Sequence, residues 1–296
     1  MSYQILDGKH ISQNLFDRYQ KLMEYLKTNH QIVPKLVVVK VGDNPAGEVY
    51  VRQKEKKAHT IGMGFDLIRL PEDVSQKELL EQIHRLNQDT QVHGIIIQAP
   101  LPDHLDPATV ENHLNYQKDA EGVHPFNLGK VAEGSELIVP CTPKGIVALL
   151  DAYQVPTHGR HVCIIGNSTV VGLPLALMMM NRDATVTSCN KATGDLVPYT
   201  KDADIVVVAA GVIDLIGPDH IKPGAVVVDV GININEQGKI VGDVSFDLVK
   251  EKTSYISTVP GGIGPMTVAM SIEQTIRCAC SQNKLNFEQL IKEVTG

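Results

Sequence analysis

At 296 residues, with 43% hydrophobic composition and no tryptophan, the chain can bury one large core or two smaller ones. Its net charge of −7 excludes a general nucleic-acid binder but allows a local basic pocket for an anionic small molecule. No apolar run reaches membrane-span length, MSYQILDGKH is not a leader pattern, and the five cysteines match no zinc spacing and fit a disulfide framework poorly by their odd count, so no membrane association and a reducing, cytoplasmic setting are expected.

Ile11, Leu15, Tyr19, Leu22 and Leu26 carry helical spacing over 11–28. KLVVVKV at 35–41 is a strand, broken by Gly42-Asp43-Asn44-Pro45. Asn44 suits an N-cap and Pro45 the first helical position, giving a helix to about Ile61 that Gly62 ends. A strand over 65–70, a helix over 75–88 with Leu79, Leu80, Ile83 and Leu86 inward, and a strand over 92–98 follow. This alternation predicts a parallel sheet with helices on both faces. KDAEGVHP at 118–125 is a polar loop, 129–138 reads as a connection, and Pro140-Cys141-Thr142-Pro143 opens a helix to about Tyr153.

The next stretch organises the chain. An apolar strand at 162–165, a Gly-bounded turn at 166–172, a helix at 174–180 and a strand at 184–189 make a βαβ unit, whose turn suits a pyrophosphate. The turn reads G-x-S-x-x-x-G and not G-x-G-x-x-G, so alone it is equally a tight turn in a packed sheet. Strands at 203–210 and 224–230 each run into glycine. VPGGIGPMT at 259–267 reads as a long Gly/Pro loop, and helices at 268–280 and 287–294 close the chain.

Tyr50, Lys54, Ala58 and Ile61 share one helix face, and the last two mark it as buried. Lys54 there either snorkels out along its stem or is a desolvated amine able to act as acid or base near neutrality. Gln98, at a buried strand end, is a cap or holds a neighbouring polar group. Glu121 and Asp119 lie in a Gly-bounded loop, where a carboxylate either faces water or accepts two hydrogen bonds from an amino-pyrimidine edge. His113 and His124 lack metal-ligand spacing and read as structural. The strand before Asn190-Lys191 ends without the acid that would hold a free ribose 2′-hydroxyl; a cation there favours a 2′-phosphate, hence NADP, with Thr193 as an added hydroxyl. Lys191 is otherwise an exposed lysine at a strand end.

These residues sit in blocks that resemble the bifunctional methylenetetrahydrofolate dehydrogenase/cyclohydrolase family: VGDNPAGEVYVRQKEKKAHTIGM, GIIIQAPLP, KDAEGVHPFNLG, PCTPKGIVALL, GNSTVVGLP, VVVDVGIN and VPGGIGPMTVAM, in one order along nearly the whole chain. The resemblance implies oxidation of 5,10-methylenetetrahydrofolate with NADP, then hydrolysis of the methenyl product to 10-formyltetrahydrofolate. It implies two α/β domains with a cleft between them, the second Rossmann-like, and a homodimer. The division expected is 1–139 plus 267–296 for the folate-binding catalytic domain and 140–266 for the NADP-binding domain.

By position, Lys54 becomes the central catalytic lysine, Gln98 its hydrogen-bond partner and Tyr50 a flank of the folate. Glu121 falls where the family has an aspartate on the pterin edge, and Pro260 and Gly261 join the substrate site. Thr142, Gly166, Asn167, Ser168, Lys191 and Ile232 fall on the cofactor site. The chain departs from the family at Asn167 (usually arginine), Asn190-Lys191 (His-Ser), Glu121 (aspartate), Ala99 (leucine) and Ser257-Thr258 (Thr-Pro). Lys191 either compensates for the lost phosphate contacts or marks a changed cofactor choice. A single-activity or NAD-linked paralogue, a dehydrogenase of another small metabolite and a non-catalytic binding module are the rival readings.

Overall fold

The computed structural model describes residues 3–296. Its strands are β1 (Gln4–Leu6), β2 (Lys35–Val41), β3 (Gly64–Leu70), β4 (Gly94–Ile97), β5 (His161–Ile165), β6 (Thr185–Cys189), β7 (Ile205–Val208), β8 (Ala225–Asp229), β9 (Asn233–Ile234), β10 (Ile240–Val241) and β11 (Thr253–Ser257). The helices are α1 (Gly8–Tyr25), α2 (Pro45–Thr60), α3 (Gln76–Gln88), α4 (Pro107–His113), α5 (Pro125–Ala132), α6 (Cys141–Ala152), α7 (Gly172–Met180), α8 (Val197–Thr200), α9 (Phe246–Val249), α10 (Ile263–Gln282) and α11 (Phe287–Thr295). Two compact units result. One comprises the described residues through Ser12, Val131–Ser135 and Thr142–Thr267; the other comprises Gln13–Lys130, Glu136–Cys141 and Val268–Gly296.

The second of these is built on a three-stranded parallel sheet in the order β3-β2-β4. Central β2 is buried from Leu36 to Val41, which is why it reads as an unbroken apolar run. Leu79, Ile83, Ile95 and Val110 pack against Val37 and Val39. The Asn44 side chain accepts the Gly47 amide at 3.3 Å where α2 begins, and Gly62, at φ +76°, closes that helix. Ser75 and Glu78 form a capping box on α3.

Two short helices were not expected: α4 lies in a stretch without an assigned element, and α5 spans the end of the expected loop and the start of the expected connection. Asp106 caps α4 ahead of Pro107, and His124 Nδ1 accepts the Phe126 amide at 2.9 Å behind Pro125 of α5. Both are too short to show a repeat, so their caps and prolines are their only signals.

The first unit carries a six-stranded parallel sheet, β1-β11-β8-β7-β5-β6. The chain runs from β5 to β6 on one side, then crosses back to β7 on the other, so strand order reverses at β5/β7. Cys163, Ile165, Val206, Val208, Val227 and Ile256 are core residues. The edge strand β1 pairs with β11 through Ile5↔Ile256, whereas the sequence division put residue 5 with the other unit. Neither short strand carries a periodic signal. Helix α10 begins at Ile263, inside the expected loop, because Pro265 stands in its first turn, where a missing N–H costs nothing. Among the described residues, no helix is long and apolar enough to cross a membrane.

Candidate active site

Lys54 is 3% exposed on α2, on the face that buries Ala58 and Ile61. Its Nζ donates to Gln98 Oε1 at 3.2 Å and lies 3.5 Å from Glu121 Oε2. Gln98 follows β4; its backbone amide donates to Val39 O at 2.8 Å and its Nε2 to Ala99 O at 3.0 Å, which leaves the side-chain oxygen facing the lysine.

Glu121 is held by its loop. Asp119, fully buried, bridges to Ile95 and accepts the amides of Gly122 (2.9 Å) and His124 (2.8 Å) and the side chain of Asn127 (3.0 Å). Gly122 sits at φ +82°, and a Cβ there would come 2.3 Å from the Val139 carbonyl carbon, so only glycine fits. The loop therefore presents Glu121 to Lys54 instead of to bulk water, and its side chain is 19% exposed.

Burial pushes the Glu121 carboxyl above its ordinary 4.5; Lys54 opposes this and the Asp119 charge adds to it. Burial raises the Tyr50 phenol, and the Glu121 charge raises it further. Burial also raises Asp119, against the pull of its N–H donors. The result is a buried amine held between an amide oxygen and a carboxylate of comparable reach, an arrangement that can hold or pass a proton. Asp119, which holds the loop in place, had no separate signal in KDAEG. His113 and His124 serve local hydrogen bonds, to Thr109 O and from the Phe126 amide.

In the six-stranded unit, Gly166 has φ +103°, and a Cβ there would lie 2.1 Å from Ala209 O. A Cβ on Gly172 would lie 1.8 Å from Gly166 O, so the turn is closed around two bare backbones. A cavity of about 630 Å³ opens beside it at the carboxyl ends of β5, β6 and β7, lined by Gly166, Asn167, Asn190, Lys191, Thr193 and Ala210 among others. Asn190 and Thr193 brace the turn after β6: Asn190 Oδ1 accepts the Ala192 amide at 2.9 Å, and Thr193 Oγ1 accepts the Asn190 amide at 3.0 Å. Lys191 is exposed at the tip of that turn.

The structure thus brings Gly166, Asn167 and Lys191 to one cavity. The other expected cofactor residues lie off its wall. Ser168 turns its hydroxyl to the Val171 amide at 3.2 Å, Thr142 Oγ1 pairs with Thr267 Oγ1 at 3.1 Å, and Ile232 is 51% exposed after β8. Of the expected substrate residues, Pro260 follows a cis peptide, and Gly261, at φ +115°, accepts the Lys9 amide at 2.9 Å.

A doubly wound parallel sheet with a glycine turn and a cavity where strand order reverses defines a nucleotide-binding α/β protein, and the lysine cluster on a separate α/β unit equips it for proton transfer. The chain belongs to the tetrahydrofolate dehydrogenase/cyclohydrolase family: the family's catalytic domain matches residues 6–121 and its NAD(P)-binding domain residues 140–283. It is 47% identical to the bifunctional protein FolD of Exiguobacterium sibiricum over 93% of this chain and 99% of that one. The crystal structure of the bifunctional enzyme FolD, methylenetetrahydrofolate dehydrogenase/cyclohydrolase, from Campylobacter jejuni superposes with a TM-score of 0.93 at 44% identity, covering 96% of this chain and all (100%) of that one. The Trypanosoma brucei enzyme, complexed with NADP cofactor and inhibitor, gives 0.92 at 32% identity, over 96% and 99% of the two chains.

Proposed function

We propose that this chain oxidises 5,10-methylenetetrahydrofolate to 5,10-methenyltetrahydrofolate with NADP and hydrolyses that product to 10-formyltetrahydrofolate, both steps of one-carbon metabolism. The observation that carries the reading is the buried Lys54 amine between Gln98 and Glu121, in a chain of this family.

The nucleotide cavity suits NADP. Its glycine turn leaves backbone bare for a pyrophosphate, Lys191 supplies a cation on the wall, and no acid stands at 190–194 to repel a 2′-phosphate. Gly166, Asn167 and Lys191 are assigned to the cofactor, with Thr142, Ser168 and Ile232 as family-derived contacts. NADP held there would supply the hydride acceptor for the oxidation.

The chain's own residues do the rest. Tyr50 flanks the folate, Glu121 takes the pterin edge, and Pro260 and Gly261 are further substrate contacts, so the oxidation is mainly a matter of position. In the hydrolysis, water adds to the methenyl carbon and Lys54 Nζ takes its proton. The bond from that carbon to N5 then breaks as the adduct's hydroxyl gives up its proton and becomes the formyl C=O; N5 receives one of water's two protons, returned by Lys54, and the other leaves to solvent. Gln98 Oε1 holds the amine in line through both transfers. We assign 1–139 with 267–296 to folate and catalysis and 140–266 to NADP, except that the described residues through Ser12 and 131–135 go with the NADP sheet, the chain working as a cytoplasmic homodimer.

The test is three assays on the purified protein: methylenetetrahydrofolate with NADP, the same with NAD, and methenyltetrahydrofolate hydrolysis without either. Turnover in the first and third supports the reading. Turnover with NAD alone, or in only one of the two steps, replaces it with an NAD-linked or single-activity enzyme.

A further inference from the structure

Away from the lysine cluster, a densely hydrogen-bonded pair of buried carboxylates lies near the carboxyl ends of β7 and β8. Asp243 is fully buried. Its Oδ2 accepts the amides of Ala210 at 2.7 Å and Gly211 at 2.9 Å; its Oδ1 accepts the Val212 amide at 2.9 Å and Asn233 Nδ2 at 2.8 Å. The Asp243 amide donates to Asp229 Oδ1 at 3.0 Å, and Asp229 also accepts the amides of Gly231 at 2.9 Å and Val244 at 3.0 Å. Two glycines admit the pair: a Cβ on Gly231 would lie 2.2 Å from Asp243 Oδ1, and one on Gly242 1.8 Å from Asp229 Oδ2.

What Asp243 holds is a wall of the nucleotide cavity. Ala209, Ala210 and Val212 line that cavity, and Ala209 O is the atom against which Gly166 packs. Three successive amides after β7 are spent on one carboxylate, so the wall offers small apolar side chains and keeps its donors inward. Four donors converge on two oxygens, a set that a carboxylate satisfies and an amide cannot.

We infer that Asp243 is a positioning residue of the cofactor pocket: by accepting the Ala210, Gly211 and Val212 amides it fixes the β7 wall against which the cofactor is bound. The inference rests on the proposed NADP reading of that cavity.

In Asp243→Asn, the new NH2 faces N–H donors and at least one backbone amide loses its acceptor, which displaces the wall. NADPH binding, followed by the enhancement of its own fluorescence, is expected to weaken about tenfold. Methenyltetrahydrofolate hydrolysis, assayed without cofactor, is expected to keep its kcat and KM, which a general loosening of the fold would not allow. Asn233→Ala removes the side-chain donor to Asp243 Oδ1, together with its 3.2 Å bond to Gly242 O, and leaves the carboxylate in place; a two- to threefold weaker NADPH affinity is expected.

Unchanged NADPH affinity in a folded Asp243→Asn overturns the inference. If that variant does not fold, wild-type affinity in Asn233→Ala does so. Equal loss of hydrolysis and NADPH binding also overturns it, by making Asp243 a residue of general stability. Failure of the wild-type protein to bind NADPH overturns the cofactor reading itself, and the inference with it.

Discussion

Lys54 lies on the face that Ala58 and Ile61 bury, and a lysine on such a face needs a partner. The carboxylate partner is Glu121. A carboxylate in a polar loop ordinarily faces water, and only the Asp119 hub and the bare Gly122 turn it inward. Lys54→Met is expected to lower methenyltetrahydrofolate hydrolysis by about 10²-fold or more while the fold persists, since an apolar side chain suits that face. Full hydrolysis in a folded variant removes Lys54 from the mechanism. Because burial sets the Glu121 carboxyl above 4.5, it takes up its proton earlier than an ordinary glutamate as pH falls. The acid limb of folate kcat/KM therefore lies above 4.5, and Glu121→Gln, which cannot titrate, is expected to lack it. Stability has the opposite sense: the raised carboxyl favours the fold while protonated, fully below its unfolded value, and that contribution is lost as pH rises through the folded one. An acid limb that stays in place in Glu121→Gln assigns it to another group.

The elements that periodicity reveals are the long apolar ones: β2, α3, β5 and β8 lie where the sequence put them, within a residue or two. Those missed are short, polar, or hidden by glycine and proline. β1 has three residues, β11 equals β5 and β8 in length but is written TSYIS with no apolar run, and the first turn of α10 is written IGPM within an apparent loop. Glycine is the hardest residue to read, because its role depends on what its missing Cβ would strike. At Gly172 it would strike backbone at 1.8 Å; at Gly129, inside α5, it would meet nothing within 4 Å. Gly172→Ala must open the turn and is expected to cost about 2–5 kcal/mol, with NADPH binding lost in parallel. Gly129→Ala is expected to stabilise by up to about 1 kcal/mol, through helix propensity alone. Thermal melts of the two variants decide it. Equal shifts in the same direction would mean that the tight turn at Gly166–Gly172 does not exist in solution.

Across the whole molecule, the net charge of −7 repels an anionic cofactor, so binding depends on local cations to overcome a global field. Composition gives that field; the position of Lys191 on the cavity wall comes only from the turn that Asn190 and Thr193 brace. The two effects respond to salt in opposite ways. Screening relieves the long-range repulsion, which favours NADP, and weakens the Lys191–phosphate contact, which disfavours it. The Debye length is already about 10 Å at 0.1 M, so above that concentration the distant charges have little left to lose and the contact dominates. Because Lys191 is exposed, the contact is worth about 1 kcal/mol, a factor of about five, and not the larger value of a buried pair. The preference for NADP over NAD, as a ratio of kcat/KM, is therefore expected to fall about fivefold in Lys191→Ala, with NAD use nearly unchanged. In the wild-type protein the ratio is expected to shrink between 0.1 and 1 M salt, roughly over the range where the Debye length drops from 10 to 3 Å, and in the variant to stay flat. A variant that keeps the wild-type ratio at every salt concentration makes Lys191 a solvated strand-end lysine, and discrimination at the 2′ position must then come from another part of the pocket.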